Sequence, residues 1–355
     1  MPPRLERLRE RTNGYTVTPA QYARVAYVAL GALTLIVLTG AAVRLTGSGL
    51  GCPTWPKCYG NVYPPLNTHA VIEFSNRLIT VPVSIAAGLA WLAALRRRPY
   101  RRDLMWLGAL LPLGVMGQAV LGGFTVKGAL DYGWVMGHFA LSMLILVAAV
   151  ALAWRAGRSA GRSQSAGHEP HAGQPSANGK AAALVASDRA LILSVRALVA
   201  LGALTIFAGT AATAAGPHAG GSPGQKINRL SFDGRATMDF VIHRHGEIAL
   251  AFGLAAVAVW WLARRRGAAA AVQRPLTILC LLLALQGAVG LDQYETHLPT
   301  ELVWVHVGLA CATWLTALWA ACAAGALAPR GARIAPERAL SGSLRPRSPL
   351  KFPGN

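Results

Sequence analysis

Three histidines, His138, His243 and His306, lie within long apolar runs of this chain. A histidine in a membrane span is costly unless it faces the bundle interior, so its default reading is a functional site. Their spacing follows an internal repeat. A shift of 167 residues places Thr46 on Thr213, Gly49 on Gly216, Asn76 on His243 and Arg77 on Arg244. A shift of 168 places Gln118 on Gln286, Gly122 on Gly290 and His138 on His306. The pattern predicts a duplicated four-helix unit with paired histidine positions, three filled by histidine and the fourth by Asn76. Imidazole suits zinc, copper and iron alike. Two imidazoles on facing helices of a four-helix unit are suited to gripping a flat haem from both sides.

On this reading the second half carries a six-coordinate haem b between His243 and His306, an electron-transfer arrangement because neither face of the iron is open. The first half holds its haem through His138, since the amide of Asn76 is a poor iron ligand. His245 lies two residues beyond His243, on a different helix face, and is the fallback ligand. His69 is two turns before Asn76, and His218 and His297 lie in connecting segments. His168 and His171 sit in a polar stretch that supplies no rigid geometry.

Glu73 shares a helix face with Asn76. A carboxylate beside an open haem face is a candidate for proton transfer or for stabilising a cationic intermediate. The competing role is a salt bridge to Arg77 or Arg44. Arg77 and Arg244 are candidates for pairing with haem propionates through bidentate geometry. Cys52 and Cys58 flank Pro-Thr-Trp-Pro-Lys on the outward side, where a disulfide persists, structural or redox-active.

The elements that position these groups are membrane helices. The chain is 54% hydrophobic and only 14% charged, against roughly 25% charged in soluble domains. Apolar runs long enough to span a bilayer fall near 23–43, 70–94, 104–124, 133–153, 191–213, 239–262, 273–291 and 301–325. The fold class is therefore all-α, with eight transmembrane helices in two tandem four-helix bundles. The net charge of +20 does not indicate a nucleic-acid partner, because the arginines cluster in alternate loops. Arg96 to Arg98, Arg155 and Arg158, and Arg264 to Arg266 follow the second, fourth and sixth spans. The positive-inside rule puts these loops and both termini in the cytoplasm, with no cleavable signal peptide. The organisation is a basic N-terminal segment (1–22), a first half with the His138 haem site (23–154), and a flexible linker (155–190). A second half with the haem b site (191–328) and a tail read as disordered (329–355) complete it.

The run Arg44-Leu-Thr-Gly-Ser-Gly-Leu-Gly-Cys52-Pro-Thr-Trp-Pro-Lys-Cys58, with Glu73-Phe-Ser-Asn-Arg77, Gly137-His138, Gly216-Pro-His-Ala-Gly, His243-Arg244 and His306, resembles the haem A synthase family. The resemblance covers all eight predicted spans. It implies a membrane oxidoreductase that converts a methyl group of haem O to the formyl group of haem A by successive hydroxylations, for cytochrome oxidase assembly. It also implies a haem b in the C-terminal half, a substrate haem in the N-terminal half, and Glu73 as an important active-site carboxylate. Haem O would come from a haem O synthase, and the location would be the plasma membrane of a bacterium. The electron donor and any homo-oligomer stay open. One departure stands out, because the family's first motif often reads Glu-x-x-His-Arg and here the histidine is Asn76.

Two other classes compete. A two-haem electron-transfer cytochrome, or a haem carrier without chemistry, would bind the same groups. A pure electron carrier would be expected to fill both faces of both haems, which Asn76 does not. A transporter ranks lower, because such folds favour inverted repeats and broken helices at the midplane.

Overall fold

The computed structural model describes residues 14–165, 188–232 and 236–327. It contains eight long helices: α1 (Pro19–Leu45), α2 (Thr68–Arg96), α3 (Arg102–Lys127), α4 (Tyr132–Ser165), α5 (Arg189–Ala215), α6 (Ala236–Arg265), α7 (Ala270–Glu295) and α8 (Thr300–Ala323). Each is long and apolar enough to cross a membrane, so this is an all-α, multi-pass membrane protein. Helices are the natural outcome in lipid, because they satisfy every backbone polar group within the segment.

Local signals set several boundaries. Thr18 caps α1 in a reciprocal capping box with Gln21. The Asn67 side chain accepts from Ala70 N at 2.8 Å to start α2, and Asp188 accepts from Leu191 N at 3.1 Å to start α5. α4 runs past the expected boundary at 154 to Ser165. Polar side chains fasten this extension: Arg155 reaches Asp103 at 3.3 Å and the Leu327 carbonyl at 2.8 Å, and Arg97 donates to Ser159 at 3.0 Å. The expected tail from 329, the first 13 residues and His168 and His171 of the linker lie outside the described residues.

α1 packs on α2 and α4, with α3 between α2 and α4; in the second group α5 packs on α6 and α8, with α7 between α6 and α8. α8 also packs on α1 and α4, joining the two groups. Small residues permit this close approach: Ala26, Ala29, Ala87, Ala90, Ala149 and Ala153 are all buried in the shared core. Two tryptophans of α8 donate across the seam, Trp304 to the Leu38 carbonyl at 3.4 Å and Trp314 to the Met143 carbonyl at 3.2 Å.

At the end of the bundle that carries the disulfide, the α1–α2 and α5–α6 loops are joined by hydrogen bonds. Gly49 N donates to the Gly220 carbonyl at 3.0 Å, and the Ser222 hydroxyl donates to the Gly47 carbonyl at 2.6 Å. Glycine is required here. A Cβ on Gly49 would lie 3.0 Å from the Gly220 carbonyl oxygen, and one on Gly51 would lie 2.2 Å from the His69 carbonyl oxygen. The α3–α4 and α7–α8 turns also share a conformation: Ala129 and Leu130, like His297 and Leu298, have φ between 49° and 64°.

Gly51→Ala forces the first loop off the start of α2. The expected cost is about 1–3 kcal/mol, as in other overpacked sites. The measurement is the thermal unfolding midpoint of the detergent-solubilised protein, which should fall; an unchanged midpoint would contradict this packing.

Candidate functional site

The disulfide end gathers most of the residues singled out from sequence. Cys52 and Cys58 form a disulfide, and both are buried. Their loop docks on α2 through two charged side chains. The buried Glu73 carboxylate accepts from Cys52 N at 2.7 Å through one oxygen and from Arg77 Nη2 at 2.5 Å through the other. Arg77 then donates to the carbonyls of Cys52 at 2.8 Å and Thr54 at 2.9 Å, with further contacts to those of Pro56 and Lys57. Its guanidinium lies 4.9 Å from the centre of the Trp55 ring. The ring edge of Trp55 in turn occupies the space where a Cβ on Gly123 would sit, 2.8 Å away. Glu73 and Arg77 are thus both engaged in holding the loop. This is the salt-bridge role weighed from sequence, and here it faces Arg77 rather than Arg44.

The imidazoles are positioned differently. His138 on α4 lies against Gly122 of α3, where a Cβ would be 3.6 Å from its Cε1. His306 on α8 lies against Gly290 of α7 in the same way, at 3.2 Å. In each case a glutamine of the neighbouring helix donates to the histidine's own carbonyl: Gln118 to His138 at 2.9 Å and Gln286 to His306 at 3.1 Å. In both histidines the buried Nδ1 has no hydrogen-bond partner among the described residues. A buried polar atom of that kind costs free energy unless something else satisfies it.

His243 and His245 part company. His243 is exposed; its Nδ1 bonds the Asp239 carbonyl one turn back at 2.7 Å, and its ring lies edge-on to Tyr294. His245 is turned inward. Its Nδ1 bonds the Thr205 carbonyl of α5 at 3.1 Å, its Cε1 is 3.0 Å from the Cβ position of Gly209, and its ring centre is 6.2 Å from that of His306. The two planes are 79° apart. The structure therefore brings the fallback residue, not His243, against His306. A metal–imidazole bond is about 2 Å, so two rings on opposite sides of one metal have centres on the order of 6 Å apart. A ring nitrogen committed to a backbone carbonyl, as His245 Nδ1 is, leaves Nε2 oriented for a metal.

The remaining residues have other partners. Asn76 accepts from the Thr39 hydroxyl at 2.8 Å. His69 pairs with the buried Ser48 at 2.9 Å, so it is engaged at the loop rather than aimed towards Asn76's position. His218 bonds the Leu298 carbonyl at 2.8 Å. Arg244 is half exposed and paired with Glu247 at 2.7 Å. Among the described residues no cluster of three or more His, Cys, Asp or Glu side chains could hold a bare metal ion. A haem needs no such cluster, because its macrocycle supplies four of the iron ligands and the protein only the axial ones.

Sequence comparison decides the family. Residues 23–318 match the family described as cytochrome oxidase assembly protein. The chain belongs to that family. Among its relatives, the haem A synthase of Shewanella oneidensis is 26% identical over 317 residues, covering 79% of this chain and 90% of the relative. The haem A synthases of Lysinibacillus sphaericus and Bacillus pumilus are 36% and 31% identical, over 34% of this chain in each case. Those two matches span 39% and 40% of the relatives' own lengths. A stretch covering 39% of the chain is also 34% identical to a protoheme IX farnesyltransferase of Halobacterium salinarum, of which it spans 30%.

Sequence reasoning missed Trp55 as a plug against α3 and the three glycines that seat the imidazoles. Gly122 and Gly290 were visible as repeat partners, but their role needs the helix packing. The loop clamp generates a direct prediction. Arg77→Ala removes the hydrogen bonds that hold residues 52–57 and leaves Glu73 buried without its counter-charge, a change worth about 3–5 kcal/mol for a buried pair. Trypsin cleavage after Lys57 should accelerate by roughly tenfold or more, with helical content unchanged. Equal cleavage rates would rule the clamp out.

Proposed function

We propose that the chain is a haem A synthase: a membrane oxidoreductase that converts a methyl group of haem O to the formyl group of haem A. The observation that carries this reading is the inward-facing His245–His306 pair, with ring centres 6.2 Å apart, in a chain of this family. His245 and His306 hold a haem b in the second half, and His138 holds the substrate haem in the first. The seating of both His138 and His306 over a glycine of the neighbouring helix supports equivalent roles in two duplicated halves, residues 23–154 and 191–328. Bound haem supplies the redox chemistry; the protein's part is to orient it, exclude water and set its environment. In that division Glu73 positions the disulfide loop through Cys52 N and Arg77.

The disulfide end faces outward, both termini are cytoplasmic, and the location is a bacterial plasma membrane. This orientation rests on the arginines at the opposite helix ends. The likeness of one stretch to a farnesyltransferase, an enzyme named for protoheme IX, fits a haem O synthase as the source of substrate.

The test is chemical. In a host that makes haem O but not haem A, expression of this chain should yield haem A or its hydroxylated precursor, identified by mass after extraction. Unmodified haem O with a folded, haem-loaded protein would instead favour an electron-transfer or carrier role. The ligand assignment has its own readout. His306→Ala and His245→Ala should each abolish the low-spin haem b spectrum, while His243→Ala should retain it. Loss on His243→Ala with retention on His245→Ala would reverse the assignment.

A further inference from the structure

Three arginines stand near the disulfide end within the helices: Arg44, Arg77 and Arg244. Arg77 is committed to Glu73 and four loop carbonyls, and Arg244 to Glu247 on the exposed face of α6. Arg44 is different. It occupies the last turn of α1, only partly exposed, with its stem near Gly220 of the α5–α6 loop, whose Cβ position is 3.4 Å from Arg44 Cγ. Its Nε is buried and has no hydrogen-bond partner, and its guanidinium makes no ion pair among the described residues.

Two carboxylates of the disulfide end have partners of their own. Glu73 serves Arg77 and Cys52 N. Asp131, in the turn whose Leu130 also packs on Gly220, accepts from Gly133 N at 2.9 Å and from Asn228 at 2.5 Å. A cation near a helix C-terminus interacts favourably with the macrodipole, but that effect asks for no burial. A partly buried guanidinium whose stem lies against the α5–α6 loop, without a protein counter-ion among the described residues, is suited to an anion that arrives with a ligand. Its planar donor fork matches a carboxylate.

We propose that Arg44 anchors a propionate carboxylate of the tetrapyrrole bound in the first half. This rests on the haem reading above and adds the group that orients the substrate. The carboxylate edge of the macrocycle would then be held at the disulfide end. The glycines Gly47, Gly49 and Gly220 let the loops close over this point.

The experiment uses the full chain in detergent with its resident haem retained. Haemin and haemin dimethyl ester, which lacks the free carboxylates, are titrated as the second equivalent and followed by the Soret band. Wild type should bind haemin more tightly than the ester, by roughly 10- to 100-fold for a charge-assisted contact. Arg44→Gln should bind haemin as weakly as the ester, and Arg44→Lys should fall between. Equal binding of haemin and ester by wild type would overturn the role of Arg44 while leaving the haem reading standing, and it needs no variant to fold. Haemin binding by Arg44→Gln at the wild-type level would overturn it as well. Binding of neither compound by wild type would refute the haem reading itself, and this inference with it.

Discussion

A polar side chain inside a membrane bundle must find a partner, and at the disulfide end that constraint sorts structure from function. Where the protein itself supplies the partner, the group is a fastening. Glu73 and Arg77 satisfy one another and the backbone of residues 52–57, so the loop is tied to α2 from inside. Other buried polar atoms have no such partner among the described residues, and the proposed haem site draws on three of the side chains that carry them. His138, His306 and Arg44 each keep a buried nitrogen without a protein hydrogen bond. Unsatisfied polar atoms are expensive in an apolar setting, and on the proposed reading a bound haem lies against these three side chains; the amide oxygens of Gln118, Gln286 and Gln293 are likewise buried without a partner among the described residues.

Close backbone approach makes the arrangement rigid. Each inward imidazole lies over a glycine of the next helix, Gly122 for His138, Gly290 for His306 and Gly209 for His245. A methyl group at Gly209 or Gly290 would press on the ring. The same economy of space operates where Gly49 meets Gly220 and where Trp55 fills the surface of Gly123. Packing of this density has discrete arrangements rather than continuous ones, as the proposed role of orienting a flat macrocycle would require.

Much of this was legible in the chain. The eight spans follow from hydrophobic length alone, and the disulfide from two cysteines six apart in a single loop. The repeat matches Gln118 with Gln286 and His138 with His306, residues that make the same hydrogen bond in the two halves. What could not be read is which of His243 and His245 faces inward. Two residues on a helix turn a side chain about 200°, so the choice depends on packing against α5 and α8. The repeat register pointed to His243, because it aligns with Asn76. The end of α4 was likewise hidden, since Arg155 and Ser159 find partners far away in sequence, at Leu327 and Arg97. The engagement of Arg77 with the loop carbonyls is long-range too, and the sequence, which offered this arginine as a candidate for pairing with a propionate, did not reveal it.

The most direct test of the proposed ligand pair is the electron paramagnetic resonance spectrum of the oxidised, purified protein loaded with haem. His245 and His306, with planes 79° apart, predict the strongly anisotropic low-spin signal that near-perpendicular axial imidazoles give. A rhombic low-spin signal from near-parallel planes, or a high-spin signal alone, would contradict the claim that this pair holds the haem.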